Sequence, residues 1–218
     1  MAAPSQSERQ LVDGAAGSIE VAIHRQDGAA RALAVIAHPH PLYGGTMDNK
    51  VVTTLARALF DAGAEVYRFN FRGVGKSEGE HDNGRGETQD MLRVIAFARG
   101  QSTAELPLWV AGFSFGGAVA LAASEQQHFE RMILVAPAFA RMAHWQNVAS
   151  GGNPPPETLL IHGELDETVP FQDSLDWARP RDLVVSLVPG ADHFFHQRLH
   201  IVKRLAFQHV ANRGVSVD

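Results

Sequence analysis

Short runs rich in valine, isoleucine and leucine alternate along this chain with longer amphipathic or alanine-rich segments, and that alternation limits the fold more than any other feature. A strand that crosses over through a helix before the next strand begins builds a parallel sheet with helices on its faces. The runs "SIEVAIHR" (18–25), "ALAVIAH" (32–38), "EVYRFNF" (65–71), "LPLWVAG" (106–112), "RMILVAP" (131–137), "ETLLIHG" (157–163) and "DLVVSLVP" (182–189) predict about seven strands. The segments between them predict helices at about 48–62, 86–100, 115–125, 171–179 and 193–211. The fold class is therefore α/β, with a mostly parallel sheet. Runs from 106 onward are near-continuously apolar, as strands covered on both faces are, and are expected at the sheet centre.

In open α/β sheets, ligands bind outside the carboxyl ends of the strands, so the residues just past each run form one group to inspect. They are His38, Asn70, Gly112 to Ser114, Pro137, Gly163 to Asp166, and Gly190 to His193. The 218 residues, 45% of them hydrophobic, suit a single domain spanning 1–218. The loosely composed segments are 1–10, 78–86 and 149–156. Between Pro137 and Glu157 the chain is too short for a cap domain over the site.

Charge and composition narrow the classes further. Lysine and arginine total 19 against 24 acidic residues, a net charge of −5 without a basic block, so no nucleic-acid partner is expected. With no cysteine there is no thiolate nucleophile, thiolate metal site or disulfide. The start "MAAPSQSERQ" lacks a basic n-region and an apolar h-region, and no apolar run is long enough to span a bilayer. A cytoplasmic location with no membrane partner is the expectation.

Gly112-Phe113-Ser114-Phe115-Gly116 fits a G-x-S-x-G elbow between a buried strand and a helix. The glycines let the chain turn sharply, because a side chain at either position would collide with neighbouring backbone. Ser114 is thereby raised at the sheet edge, and the Phe115 amide at the helix start can face a developing oxyanion. The plainer role is a serine capping the helix.

A serine hydroxyl becomes a good nucleophile only when a histidine takes its proton and a carboxylate orients that histidine. "HGELDETVP" follows the next-to-last strand run and "PGADHFF" the last. Of Glu164, Asp166 and Glu167, Asp166 is the expected acid, since a short loop after the glycine can turn it back toward the strand ends. His193, in a turn after Gly190, is the expected base, with His196 and His200 placed on the following helix. The second oxyanion amide is expected in "AHPHPLYGGTMDNKVV", where the prolines lack amide hydrogens and Gly44 and Gly45 permit close approach; Leu42 or Tyr43 is the candidate. His193, His196 and His200, and the pair His38 and His40, raise a metal site, but H-E-x-x-H is missing and no metal is expected. Nor is an organic cofactor, as neither a dinucleotide fingerprint nor a P-loop is present.

Across its length the chain resembles the α/β-hydrolase superfamily. Besides "GFSFGG", "HGELDETVP" and "GADHFF", the segment "RFNFRGVGKSEG" looks like that family's arginine-glycine loop after an early central strand. "HPHPLYGGTMDNKVV" looks like a small bacterial subgroup of compact, capless hydrolases described as predicted hydrolases or carboxylesterases. The resemblance implies Ser114, Asp166 and His193 as nucleophile, acid and base, with Phe115 and Leu42-Tyr43 at the oxyanion.

The activity expected is a serine esterase working through an acyl-enzyme on a small-molecule ester. Thioester, amide or peptide hydrolysis would use the same residues, and a non-catalytic binding protein could keep the fold. Tyr43, Phe113, Phe115, Phe139, Trp145, Phe194 and Phe195 are candidates to line the site or to fill the core. A homodimer is compatible with the sequence.

Overall fold

The computed structural model describes residues 7–139 and 152–212. Its elements are β1 (Glu8–Gly14), β2 (Gly17–His24), β3 (Ala32–Ala37), α1 (Lys50–Asp61), β4 (Ala64–Phe69), α2 (Arg85–Gln101), β5 (Leu108–Phe113), α3 (Phe115–Ala123), β6 (Arg131–Val135), β7 (Thr158–Gly163), α4 (Phe171–Ala178), β8 (Val185–Val188) and α5 (Leu199–Ala211). The strands form one eight-stranded sheet in the order β1-β2-β4-β3-β5-β6-β7-β8. β1 and β2 pair antiparallel, as do β2 and β4, while β4 through β8 run parallel to their neighbours.

Successive residues of a strand face opposite sides, and β3 shows how both sides become apolar. Leu33, Val35 and Ala37 join the core under α2, α3 and α4, with Met91, Val94, Val119 and Trp177. Ala32, Ala34 and Ile36 join the opposite core under α1 and α5, with Val51, Leu55, Val202 and Ala206. Each large side chain so buried contributes roughly 1.5–3 kcal/mol. α1 starts where the Asn49 side chain accepts from the Val51 amide at 2.8 Å, and its residues Val51, Val52, Leu55, Ala56, Ala58 and Leu59 make one buried stripe. α3 is buried on every side, which its alanine and glycine content permits by letting sheet and helices close in around it.

Three expectations are corrected. β1 is an eighth strand that begins in the segment read as loosely composed and runs past it; as an edge strand of "ERQLVDG" it buries only Val12 and so shows no apolar alternation. The centre of the sheet is β3 beside β5, while β8 is the far edge. The last helix begins at Leu199, not near 193, because Phe195 and Gln197 take positive φ values of 54° and 59° that break a helix. His196 consequently lies in a turn, and only His200 of that pair is helical.

Candidate active site

Ser114 stands between β5 and α3 with φ 55° and ψ −116°, a left-handed backbone that a residue with a Cβ adopts at a cost of about 1–3 kcal/mol. Neighbouring strands hold it there. The Ser114 amide donates to the Val135 carbonyl at 2.9 Å, and its carbonyl accepts from Gly117 at 3.0 Å and Ala138 at 3.1 Å. A Cβ on Gly112 would lie 2.2 Å from the Gly116 carbonyl oxygen, and one on Gly116 would lie 2.4 Å from that of Ala37, so the turn closes only with glycine at both positions. The Ser114 side chain makes no helix-capping bond. Its hydroxyl lies instead 3.1 Å from His193 Nε2.

His193 is held by the turn after β8, its ring packed in a cluster with those of Phe113 (centroids 4.9 Å apart) and Phe194 (5.1 Å). His193 Nδ1 lies 2.7 Å from Asp166 Oδ2. Nδ1, facing a carboxylate, carries the proton, which leaves the Nε2 lone pair for the serine hydroxyl. Asp166 does not cap α4; its Oδ1 accepts from the amides of Thr168 (2.9 Å) and Val169 (2.7 Å). Burial would raise the Asp166 pKa, but His162, His193 and the Val169 amide outweigh it and hold the carboxyl far below the usual carboxylate range. It stays ionised beside the imidazole.

The acid and base loops are tied together by short bonds. Glu164 and Leu165 donate their amides to Val188 (3.1 Å) and Ala191 (2.9 Å), and Glu164 Oε2 accepts from the Gly190 amide at 2.8 Å. Ser114, Asp166 and His193 are all buried, and the Asp166 side chain is fully enclosed while that of His193 keeps 6% of its surface, so the contact chain is closed to solvent at its Asp166 end.

Asp166 also meets a second histidine. His162 Nε2 is 3.3 Å from Asp166 Oδ2, and its Nδ1 is 2.8 Å from Ser174 Oγ. Both His162 and Ser174 are 0% exposed, so no substrate reaches this serine. His196 pairs with Asp192 at 2.5 Å on the surface and has no part in the relay.

The loop after β3 places its amides differently from expectation. The Leu42 amide donates to His40 Nδ1 at 3.2 Å and that of Tyr43 to the His40 carbonyl at 3.1 Å, so both are engaged inside the 3-10 turn Pro41–Tyr43. The His40 amide has no acceptor among the described residues. Its ring is 4.8 Å from that of Phe115, which brings this peptide beside the elbow. His38 Nδ1 donates to the Pro39 carbonyl at 2.6 Å and its Nε2 accepts from the Phe71 amide at 3.0 Å. Burial lowers the His38 pKa to about 4, keeping it in the neutral form that this pair of bonds requires. Because carbonyl and amide of one planar peptide point in opposite directions, fixing Pro39 O also fixes the His40 N–H. The Phe115 amide, first in α3, has no intrahelical acceptor by helix geometry.

The arginine-glycine loop has a supporting role: Arg72 grips Asp90 through Nε (3.0 Å) and Nη2 (2.8 Å), and Asn70 Oδ1 accepts the Met47 amide at 2.9 Å. Of the aromatics considered for the site, Phe113, Phe115, Phe139 and Phe195 are core, while Tyr43 (86% exposed) and Phe194 (45%) stand at the surface. Trp145 lies outside the described residues. Among the described residues, no group of three histidine or acidic side chains could hold a metal ion, and no helix is long and apolar enough to cross a membrane.

Comparison with known proteins places the fold. A family model described as serine aminopeptidase, S33, matches residues 28–170. The chain is similar to a lidless α/β serine hydrolase from Xanthomonas campestris, with a TM-score of 0.85 and 38% identity over 95% of this chain and 94% of the other. An α/β serine hydrolase homologue from Coxiella burnetii gives a TM-score of 0.83 and 39% identity over 92% and 96%. An uncharacterized protein of Rickettsia prowazekii is 29% identical over 85% of this chain and 81% of its own length.

Proposed function

As the chain belongs to the α/β-hydrolase family whose model is described as serine aminopeptidase, S33, and is a serine hydrolase of that type, we propose that it is a carboxylesterase using Ser114, His193 and Asp166. The observation that carries the roles is the continuous contact from Asp166 Oδ2 through His193 to the hydroxyl of a serine on a strained elbow. His193 Nε2 takes the hydroxyl proton as Oγ attacks the ester carbonyl carbon, and the proton passes to the departing alkoxide when the C–O bond breaks. Water, deprotonated by the same nitrogen, then attacks the acyl-enzyme and releases the acid. Asp166 stays a carboxylate throughout and stabilises the imidazolium.

For the oxyanion we propose the amides of Phe115 and His40, in place of Leu42 or Tyr43, whose amides serve the 3-10 turn. An ester of modest size is favoured by the rim, where Leu42, Tyr43, Leu165 and Phe194 are exposed apolar side chains on loops belonging to the site. A fluorophosphonate probe should label Ser114 in the folded protein, and His193→Ala should cut turnover of a short-chain aryl ester by roughly 10⁴-fold. Unlabelled Ser114 would remove the catalytic reading. Faster cleavage of aminoacyl anilides than of matched esters would replace the esterase with an aminopeptidase, the activity for which the matching family model is described.

A further inference from the structure

Beside the relay lie His162, at the end of β7, and Ser174, on α4, both fully enclosed and hydrogen-bonded to each other at 2.8 Å. His162 Nε2 donates to the Val169 carbonyl at 2.8 Å, and the same nitrogen lies 3.3 Å from Asp166 Oδ2. A nitrogen between a carbonyl and a carboxylate must carry hydrogen. The Ser174 hydroxyl has no other partner among the described residues, so its proton belongs on His162 Nδ1, and the ring is neutral in the Nε2–H tautomer.

We infer that His162, fixed by Ser174 and by the Val169 carbonyl, is a positioning residue that holds the positive end of its Nε2–H bond beside the carboxylate of Asp166 and thereby sets how strongly that carboxylate holds His193. This inference rests on the proposed relay. The carboxylate is then surrounded: Oδ1 by the amides of Thr168 and Val169, Oδ2 by His193 and His162. Among the described residues, the titratable side chains facing it are these two histidines, from β7 and from the turn after β8; Ser174 reaches it through His162, and the other group on His193 is the Ser114 hydroxyl. A carboxylate shared with a second donor is less basic toward the first. His193 is consequently kept from binding its proton too tightly to release it to the leaving alkoxide. The direction of the Asp166 pKa agrees, with His162 and His193 both lowering it.

Two variants separate the N–H from mere filling. His162→Leu removes it, whereas His162→Gln can return an amide N–H near the Nε2 position. In His162→Leu the acid limb of the kcat/KM–pH profile, which reports His193, should rise by roughly half a pH unit or more and kcat should fall by about tenfold. His162→Gln should restore both toward wild type. An unmoved limb in His162→Leu, or an equal shift in the two variants, overturns the inference. Should both variants fail to fold, the wild-type chain labelled with ¹⁵N-histidine decides: the His162 proton should sit on Nε2 with Nδ1 unprotonated, while an Nδ1–H form overturns the assignment. Fluorophosphonate labelling of the same samples tests the relay separately, so its failure is distinguishable from failure of the His162 role.

Discussion

Gly163 and Ala191 approach so closely that a Cβ on the glycine would lie 2.5 Å from the alanine carbonyl oxygen and 2.8 Å from that of Asp192. This contact joins the end of β7, which leads to Asp166, to the turn that carries His193. Gly163→Ala must push the two loops apart. We expect a loss of roughly 1–3 kcal/mol in stability from overpacking. Because misplacement near the chemistry is costly, kcat should fall by about tenfold or more with KM little changed. Unchanged kcat would show that the contact does not set the relay geometry.

The left-handed backbone of Ser114 yields a prediction about stability rather than rate. Ser114→Gly and Ser114→Ala should both be inactive, but only glycine relieves the strain. Relief of about 1–3 kcal/mol, less roughly 0.5–1 kcal/mol of added unfolded-chain entropy, leaves a gain of about 1 kcal/mol. For a chain of this size that is a Tm about 2–4 °C above Ser114→Ala. Equal melting temperatures by calorimetry would mean that the elbow stores no such strain.

The oxyanion assignment can be tested at a position where proline fits. His40 has φ −54°, close to the value that the proline ring imposes. His40→Pro deletes the amide hydrogen, whereas His40→Ala deletes the ring and keeps it. Loss of one oxyanion donor should lower kcat by roughly 10²–10³-fold in the proline variant and not in the alanine variant. Comparable loss in both would return the role to the imidazole or to another amide.

Stability should fall on mild acidification. The folded-state pKa of His38 is lowered by burial from 6.5 to about 4. Below about 6.5 the unfolded chain binds a proton that the folded chain refuses, so the His38 contribution lowers stability as pH drops and is constant below about 4, where loss of the lowered carboxylates such as Asp166 continues the decline. The interval corresponds to about 3 kcal/mol at most. His24, His40 and His209, also lowered chiefly by burial, act in the same direction. Urea unfolding at a series of pH values should show this slope, reduced in His38→Gln; a slope identical in that variant would assign it to the other histidines.

The parallel part of the sheet was legible in the sequence because most of its strands are short runs rich in valine, isoleucine, leucine and alanine, and Ser114, Asp166 and His193 lie just past such runs. Asp166 stood out from Glu164 and Glu167 by its distance past Gly163, whereas His196, expected on a helix, in fact lies in a turn as His193 does, so it is the contact with Asp166 that separates the two histidines. β1 was not legible, since an edge strand that buries only Val12 leaves no periodic signal. The amide of His40 was equally hidden. Which N–H in a proline-rich loop remains free depends on bonds such as Leu42 to His40, and on the peptide orientation imposed by His38, neither of which spacing encodes. His162 is written in the motif before Asp166, but its partner Ser174 comes from a separate helix and meets it only in the folded chain.

The loops that converge on Ser114 leave the ends of β3, β5, β7 and β8, and β6 anchors the serine amide through Val135. No hairpin or single crossover unit contains more than a fraction of them. Their pairing therefore demands contacts far apart along the chain, the kind that form late and slowly during folding. The site is thus a property of the completed sheet: no fragment that lacks β3, β5, β7 or β8 contains all of its loops.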